Sequence, residues 1–327
     1  MSAKVTVILL NWNGWKDTLT CLDSLRQQDW PSLQILLVDN ASSDDSVAKL
    51  RTHEPTLSLL ETTQNLGFAG GCNVGIREAL AGGAEWVWLL NNDTTLSPQT
   101  LRHMVELGES EENIGLVGSP IFEQGASGRM QAWGGGWVHP LTGISWHTLR
   151  ANESHEAPRW LQKLPLLSAL TSQQSAEWGQ QHRSLLWELA VQLLALLPGR
   201  WPYLTGASLL LRREMLEEVG LLDERFFFTW EDCDLCIRAL KAGWKLCVAE
   251  EGRVWHRISA SSGHKTPLRM RLQARAQVHF SQKHSPLPLL SSLVYASEEG
   301  IRLAAQGRWD SLRALVKGVR EGWQEGS

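Results

Sequence analysis

The sequence lacks several features that would place the protein in a large functional class. It carries no excess of basic charge, because 31 Lys and Arg stand against 35 Asp and Glu, a net charge of −4. This balance argues against general binding of nucleic acid through charge alone. The phosphate-binding patterns G-x-G-x-x-G and G-x-x-x-x-G-K-[ST] are both absent, so no dinucleotide fingerprint and no P-loop is present. The longest apolar run, residues 184–197, contains Glu188 and Gln192 and is shorter than the roughly 20 residues of a membrane-spanning helix.

Cysteines are also few and scattered: Cys21, Cys72, Cys233, Cys236 and Cys247. Cys233 and Cys236 form a single C-x-x-C pair, and no second pair completes the spacing of a zinc site. Buried core thiols are therefore favoured over a redox or zinc function. A reducing compartment fits this cysteine usage. Because the N-terminal apolar run is also too short for a signal peptide, we expect a cytoplasmic protein.

The first hundred residues alternate between strand and helix patterns. Short apolar runs rich in Val, Ile and Leu are typical of parallel strands that are buried on both faces. Strands are predicted at residues 5–10, 33–38, 57–61 and 86–90, and helices at 15–28, 45–53 and from the end of a glycine-dense loop (65–75) to 81. This alternation predicts a doubly wound, mostly parallel α/β sheet.

The rest of the chain departs from this alternation twice. Residues 145–203 are rich in Leu, Trp and Gln and predict an inserted helical segment, for which a flap near a lipid-linked acceptor, a dimer contact and additional core all remain open. Residues 261–327 predict a helical C-terminal extension to a main domain at 1–260. In this extension Trp309, Leu312, Val316, Val319 and Trp323 recur at helical spacing. They predict a face that packs on the protein, with membrane contact as the alternative.

Polar clusters follow three of the predicted strands: residues 11–13, 39–40 and 91–93. Ligands of open α/β sheets bind beyond the carboxyl ends of strands, so we expect these clusters to share one edge of the sheet. The carboxylate of Asp93 could join a divalent cation to a diphosphate, or it could cap the next helix. Asp39 could accept hydrogen bonds from a ribose or a base, or it could form an Asx turn or a helix N-cap.

Two further segments carry candidate chemistry. The glycine-dense residues 65–75 allow close approach of a ligand to the backbone and lead into a helix N-terminus that attracts phosphate. In residues 226–234 three acidic side chains follow an aromatic run, which suits stacking on a sugar ring and removal of a hydroxyl proton. The alternative is an acidic first turn that the helix dipole favours. His256 by itself is typical of a core histidine and gains significance only if it lies near Asp93.

The motifs together, in their order along residues 5–256, resemble glycosyltransferase family 2, and within it the rhamnosyltransferase-like branch of the inverting GT-A enzymes. The matching segments are VILLNWNG, LLVDNASSDDS, NLGFAGGCNVG, WVWLLNNDT, TGASLLLRREMLEEVGLLDERFFFTWEDCDLCIRALKAGW and VWH. The resemblance implies a GT-A fold with a Rossmann-like nucleotide-binding half and an acceptor-binding half.

The resemblance also implies functions for individual residues. Asp232 would be the catalytic base, with Glu231 as its neighbour and substitute, and Trp230 would shape the acceptor pocket. The donor would contact Asn11, Asn13, Asp39, Asn40, Asn65, Gly67, Gly70, Asn73 and Asn92. The metal would be held by Asp93, Asn91 and His256. Asn91 replaces the first aspartate of the family's D-x-D motif, which removes one negative charge from the metal site.

The implied function is inverting transfer of rhamnose or another hexose from a dTDP-, GDP- or UDP-sugar to a hydroxyl of a cell-surface glycan or lipid-linked acceptor, assisted by Mg²⁺ or Mn²⁺. Peripheral contact with the inner face of the plasma membrane and a homodimer are further expectations. One alternative is a non-catalytic subunit that binds nucleotide sugars, which the presence of Asp93, Glu231 and Asp232 disfavours. Another is a polysaccharide synthase, disfavoured because the sequence contains no Gln-x-x-Arg-Trp segment and no membrane-spanning run.

Overall fold

The computed structural model describes residues 2–125, 128–148, 199–257 and 266–325. They divide into two compact units. The first unit contains residues 2–125, 128–136, 147–148 and 202–257, and the second contains 137–146, 199–201 and 266–325.

Strands and helices are numbered in chain order over the described residues. The strands are β1 (Val5–Asn11), β2 (Leu33–Asp39), β3 (Ser58–Glu61), β4 (Trp86–Asn91), β5 (Thr94–Leu96), β6 (Ile114–Gly118), β7 (Pro120–Glu123), β8 (Met130–Trp133), β9 (Gly135–Val138), β10 (Ser145–His147), β11 (Trp201–Leu204), β12 (Ser208–Arg212), β13 (Lys245–Val248) and β14 (Val254–His256). The helices are α1 (Trp15–Leu25), α2 (Ser46–His53), α3 (Gly67–Ala81), α4 (Thr100–Glu109), α5 (Arg213–Val219), α6 (Glu231–Lys241), α7 (Pro267–His284), α8 (Pro288–Ala305) and α9 (Trp309–Glu325).

A large mixed sheet organises the first unit. Over the described residues it has seven strands in the order β13-β6-β12-β4-β1-β2-β3. Strands β4, β1, β2 and β3 are parallel, whereas β12 is antiparallel to both of its neighbours. Smaller sheets have the orders β5-β14-β7-β8 and β10-β9-β11. The predicted doubly wound, mostly parallel α/β class is confirmed.

The central strand β1 is buried on both faces, as its apolar run predicts. Val5, Val7 and Leu9 alternate with Ile8 along the strand, and all four side chains are buried. Such burial on both faces is expected of a parallel strand that has helices on either side. The core of the first unit therefore lies on both faces of the sheet, and the polar residues at the strand ends remain at its edge.

The glycine-dense segment differs from its prediction as a loop, because helix α3 already begins at Gly67. A Cβ atom at Gly71 would lie 2.5 Å from Leu10 Cδ1, and one at Gly75 would lie 2.7 Å from Ile8 Cγ2. These glycines therefore allow α3 to pack closely against β1, which a larger residue would prevent. The prediction was wrong because glycines that permit close helix packing and glycines that form a loop give the same sequence pattern.

The second unit contains the helices α7, α8 and α9, which confirms helical structure over residues 267–325. Helix α9 packs on α7 through Gly318 and Gly322, where a Cβ atom would meet the α7 backbone or Val278. Of the predicted packing face, Trp309 and Val316 are exposed, so that part of the prediction was wrong. The buried face instead contains Ser311, Leu315, Gly318 and Gly322, because small residues permit the closest approach of the two helices.

Three other expectations can be compared with the described residues. Cys233 and Cys236 lie in α6 as free, buried thiols, as predicted. Most of the predicted 145–203 insertion lies outside the described residues, and its described ends contain strands β10 and β11 rather than helix. The division into a domain at 1–260 and an extension at 261–327 stays a prediction. No described helix combines the length and apolar character needed to cross a membrane.

Candidate active site

The carboxyl ends of β1, β2 and β4 bring the three predicted polar clusters to one edge of the large sheet. Asn11 is paired in register with Asp39, and Asn91 is paired with Leu10. The Nδ2 of Asn11 donates a hydrogen bond of 2.7 Å to Asp39 Oδ2. The arrangement follows from parallel pairing, which aligns the ends of neighbouring strands.

The carboxylate of Asp39 is buried and receives hydrogen bonds from its own loop. Ser42 donates to it twice, from its backbone nitrogen to Oδ1 over 2.9 Å and from its hydroxyl to Oδ2 over 2.7 Å. The backbone contact reaches three residues on, one further than in the Asx turn that the sequence left open as one alternative. Asn13 supports the same loop, because its Oδ1 accepts hydrogen bonds from the backbone nitrogens of Ser43 and Asp44. Asp39 and Asn13 thus fix the loop that borders the strand ends.

Asn40 and Asn65 hold the first turn of α3. Asn40 donates to the Gly67 carbonyl over 2.9 Å and accepts from the Leu66 nitrogen over 3.0 Å, and Asn65 Oδ1 accepts from the Gly67 nitrogen over 2.9 Å. Gly67 has a φ of +73° and passes so close to Phe227 that a Cβ would lie 2.8 Å from the ring. A side chain at Gly67 would therefore be strained as well as crowded.

The remaining predicted donor residues lie in different surroundings. Asn92 Nδ2 donates to Thr18 Oγ1 over 2.9 Å at the strand ends. Gly70 lies one turn into α3, where a Cβ would meet Leu66. Asn73 is buried and both its amide atoms bond to Leu222, over 2.8 and 3.1 Å. Asn73 therefore ties α3 to the segment that precedes α6 and does not face the strand ends.

The predicted metal residues Asp93 and His256 are in direct contact. Strand β14 pairs with β5 so that His256 lies opposite Thr94, and this register brings His256 Nε2 to 3.1 Å from Asp93 Oδ1. Asn91 Nδ2 lies 3.2 Å from the same ring nitrogen. On the other side of the ring, Nδ1 lies 3.1 Å from Gln131 Oε1. Gln131 belongs to no recognisable motif, so the sequence did not indicate it.

The hydrogen bonds of His256 define what Nε2 can bind. Gln131 Oε1 only accepts, so it pairs with a proton on Nδ1, and in the neutral ring this leaves a lone pair at Nε2. That lone pair faces a carboxylate oxygen at 3.1 Å, an arrangement that a cation between the two atoms would stabilise. Two ligands at right angles, each about 2.1 Å from one cation, are about 3.0 Å apart. The Asp93–His256 pair therefore fits a divalent cation.

This pair alone is an incomplete metal site. Across the described ranges, no group of three or more His, Cys, Asp and Glu side chains is arranged to hold a metal ion. Asn91 turns its amide nitrogen toward His256, and its carbonyl oxygen would become a ligand only after rotation of the amide. The remaining positions would come from water and substrate phosphate, as is usual for Mg²⁺.

The acidic cluster begins helix α6 directly after a strained turn. Thr229 and Trp230 have φ angles of +66° and +74°, a left-handed conformation that is costly for such residues and is concentrated at functional sites. Trp230 is buried, so it supports this turn from inside. Asp232 then accepts hydrogen bonds from the backbone nitrogens of Gly206, over 2.9 Å, and of Cys233, over 2.8 Å.

The two neighbouring carboxyl groups have different electrostatic surroundings. Burial raises the pKa of Asp232, and the hydrogen bonds from Gly206 and Cys233 partly oppose this change. Burial raises the pKa of Glu231 well above its usual range, and the charge of Asp232 raises it further. The charged form of Glu231 is therefore disfavoured more strongly than that of Asp232.

Two residues near Asp232 were missed in the sequence. Tyr203 Oη lies 3.3 Å from His147 Nδ1, and the proximity of His147 lowers the pKa of Asp232. The side chain of His147 is solvent-exposed, yet neighbouring protein atoms partly desolvate its ring. This desolvation lowers its own pKa. Both residues lie at the ends of the 145–203 segment, where no motif marked them.

The acidic pair and the metal residues are connected through two consecutive residues. Gly206 donates its backbone N–H to Asp232, and the Ala207 carbonyl accepts a hydrogen bond of 3.1 Å from the Asn91 nitrogen. A buried carboxylate and a candidate cation site are thus joined to the same short turn before β12.

Comparison with known proteins shows which family and which enzymes the chain resembles. Residues 6–156 match the family model described as glycosyl transferase family 2. These residues carry a glycosyltransferase family 2 domain. This glycosyltransferase is 26% identical over 246 residues to the N-acetylglucosaminyl-diphospho-decaprenol L-rhamnosyltransferase of Mycobacterium tuberculosis, covering 71% of this chain and 68% of that protein. It is also 41% identical over 75 residues to a galactofuranosyltransferase of Mycolicibacterium smegmatis, covering 23% of this chain and 24% of that protein.

A solved structure supports the same fold for this glycosyltransferase. The mannosyltransferase PcManGT from Pyrobaculum calidifontis, determined with GDP-Man and Mn²⁺, superposes with a TM-score of 0.54 at 18% identity. The match covers 100% of this chain and 77% of that chain. The predicted GT-A fold and the transferase class are confirmed.

Proposed function

We propose that this enzyme is an inverting, metal-assisted glycosyltransferase that moves rhamnose or another hexose from a dTDP-, GDP- or UDP-sugar to a hydroxyl of a lipid-linked or cell-surface glycan. The observation that carries the proposal is the connection of buried Asp232 to the Asp93–His256 pair through the turn at Gly206 and Ala207. The relative that acts on a diphospho-decaprenol acceptor supports a lipid-linked acceptor and a rhamnosyl donor.

Asp232 is the proposed general base. The acceptor oxygen forms a bond to the anomeric carbon while the bond from that carbon to the diphosphate breaks, and Asp232 receives the hydroxyl proton. Burial raises its pKa, which makes the carboxylate a stronger base than an exposed one. The two backbone N–H groups that hold it fix its direction. Displacement from the opposite face inverts the anomeric centre.

Asp93 and His256, with Asn91 beside them, are the proposed ligands of Mg²⁺ or Mn²⁺. A bound divalent cation would supply positive charge against the negative charge that develops on the nucleoside diphosphate as it leaves. Gln131 fixes the imidazole so that Nε2 stays available. Asn91 in place of an aspartate leaves the site with one negative charge fewer. The Mn²⁺ found with the mannosyltransferase neighbour supports this assignment.

The proposed donor pocket lies at the ends of β1 and β2. Asp39 and Asn11 would meet the nucleoside, and Asn13 and Asn92 would border them. Asn40, Asn65 and Asn73 would act indirectly, because their side-chain hydrogen bonds position α3. Gly67 and Gly70 would let substrate approach the first turn of that helix.

The test is a donor screen read by release of nucleoside diphosphate. The purified chain is assayed with dTDP-rhamnose, GDP- and UDP-hexoses, a polyprenyl-diphosphate GlcNAc acceptor, and either Mn²⁺ or EDTA. We expect one donor class to give acceptor-dependent release that EDTA abolishes. Calorimetric binding of a donor with no turnover for any donor and acceptor would instead support the non-catalytic subunit.

The lipid-linked acceptor is proposed to reach the enzyme through peripheral contact of the second unit with the inner face of the plasma membrane. On α8, four apolar side chains are 44–61% exposed and fall within an arc of about 120° at 100° per residue: Leu289, Leu290, Leu293 and Ile301. The charged residues of this helix lie outside the arc. Residues 266–325 carry nine Lys or Arg and five Asp or Glu, a net charge of +4, although the whole chain is at −4. Apolar exposure together with local positive charge fits an anionic lipid surface.

Flotation with vesicles containing anionic phosphatidylglycerol tests this contact. We expect the wild-type chain to float. The variant with Leu289→Ser, Leu290→Ser and Leu293→Ser should lose about tenfold in vesicle affinity, because partial burial of three leucine side chains in lipid contributes more than about 1.4 kcal/mol of binding free energy. Leu268→Ser with Val316→Ser is the matched control, since both residues are also exposed in this unit. A wild-type chain that stays unbound would refute the contact. If the wild-type chain were a dimer and the triple variant a monomer, the apolar face of α8 would instead bind a second copy of the chain.

A further inference from the structure

Glu231 is a buried carboxyl group with an unused oxygen. It is the first residue of α6 and is only 6% exposed. Its Oε2 has no hydrogen-bond partner among the described residues. Native structures pair nearly all buried polar atoms, so an exception of this kind indicates a catalytic or ligand-binding function.

A second unpaired atom lies on the other side of Trp230. Thr229 Oγ1 is also buried without a partner in the part of the chain that the structure describes. One atom therefore belongs to the left-handed turn at Thr229 and Trp230, and the other to the residue that follows it. Strain and unused hydrogen-bonding groups within three consecutive residues are typical of a segment that completes its contacts when a ligand binds.

The surroundings of Glu231 disfavour a negative charge on it. The titratable groups that act on it are Asp232 and Asp234 of its own helix, and the Cys72 thiol on α3, whose pKa is raised mainly by burial, also lies near it. The guanidinium of Arg238 on the same helix forms a 2.8 Å ion pair with Asp234. An ionised Glu231 would thus be desolvated beside two other carboxylates with no cation of its own. Burial, followed by the charge of Asp232, raises its pKa well above the usual range.

We propose that Glu231 is the proton-holding member of the carboxyl pair, and that its unpaired Oε2–H donates a hydrogen bond to an oxygen of the bound sugar substrate. The inference rests on the proposed function for the substrate. It makes Glu231 a hydrogen-bond donor and Asp232 the base. Glu231 keeps its proton throughout, while the proton of the acceptor hydroxyl goes to Asp232. Environments that separate two neighbouring carboxyl groups in this way often divide them into a hydrogen-bond donor and a base.

The first test measures protonation without any substrate. A carboxyl whose folded pKa is raised contributes stability that is fully present below the unfolded value, about 4.3 for Glu, and is lost as pH rises toward the folded pKa. Glu231→Gln keeps the neutral form at every pH. We expect its Tm to match the wild type near pH 4 and to exceed it by about 2 °C or more at pH 7–8.

The control is Glu217→Gln, which neutralises a solvent-facing carboxylate that pairs with Arg213 on α5. It should show no such gain in Tm with rising pH. A Glu231→Gln variant that melts no higher than the wild type at pH 7–8 would overturn the assignment of the proton.

The second test measures the hydrogen bond to substrate. Glu231→Gln retains an N–H donor at nearly the same place, whereas Glu231→Met has a similar size and no donor. We expect kcat/KM of the Met variant to fall about tenfold below that of the Gln variant, the effect of one lost hydrogen bond. Equal losses in the two variants would overturn the contact with substrate. Failure of the donor screen would refute the proposed function instead, because the melting experiment needs no turnover.

Discussion

Replacement of Asp232 by Asn is expected to lower glycosyl transfer by about 10²- to 10⁴-fold, the contribution typical of a general base. Asparagine has nearly the same shape but cannot take the proton of the acceptor hydroxyl. Its amide nitrogen would also face one of the two backbone N–H groups that now donate to Asp232. The loss should appear in kcat, because the donor sites at Asp39 and Asp93 are unchanged. Turnover is measured by release of nucleoside diphosphate, and donor binding by calorimetry.

The same isosteric change at Glu217 is the control for Asp232→Asn, because it removes an exposed carboxylate from α5 without touching α6. The control should keep wild-type turnover. If Asp232→Asn transferred sugar at a near-normal rate while donor binding stayed intact, the base would have to be another residue.

Replacement of Asp93 by Asn should have the second largest effect, about a 10²-fold loss of kcat/KM at a Mn²⁺ concentration that saturates the wild type. Several kcal/mol of transition-state stabilisation come from a divalent cation, and each factor of ten in rate corresponds to about 1.36 kcal/mol. Without this carboxylate, Nε2 of His256 would face only neutral amide groups, that of Asn91 and the one introduced at position 93. Activity should recover in part when the metal concentration is raised, because the affinity is weakened and the imidazole ligand remains.

Asp17→Asn provides the comparison for Asp93→Asn. Asp17 pairs with Arg257, the residue after His256, so this variant removes a carboxylate near the site without removing one that faces the imidazole. Its metal dependence should follow the wild type. Full activity of the wild-type chain in EDTA would contradict the metal assignment for Asp93 and His256.

Much of the fold could be predicted because buried parallel strands leave a clear pattern. The apolar runs of β1, β2 and β4 are bounded by polar residues, and parallel pairing then requires Asn11, Asp39 and Asn91 to share an edge. The short helices between these runs left one arrangement, a doubly wound sheet. Local sequence was sufficient here because the apolar run and the polar end of each strand are visible without knowing which strand it pairs with.

Other features depend on contacts between distant residues and left no local pattern. Strand β12 enters antiparallel between β4 and β6, and its apolar run gives no sign of direction. Gln131 and His147 reach the candidate site through the small sheets, from positions more than 80 residues away from Asp232 and His256 in the sequence. The glycines of α3 were misassigned because only their packing partner on β1 separates a helix from a loop.

The turn at Gly206 and Ala207 has a consequence for how the enzyme can diversify. The N–H of Gly206 holds the proposed base, and the carbonyl of the next residue, Ala207, holds the end of β4, which carries Asn91 and leads to Asp93. The distance between the proposed base and the proposed cation ligands is consequently set by main-chain geometry and does not depend on any side chain of Gly206 or Ala207. Residues that choose the sugar or the acceptor can change on either side while this interval stays constant. A single residue inserted or deleted at the turn would shift the proposed base relative to the proposed cation ligands.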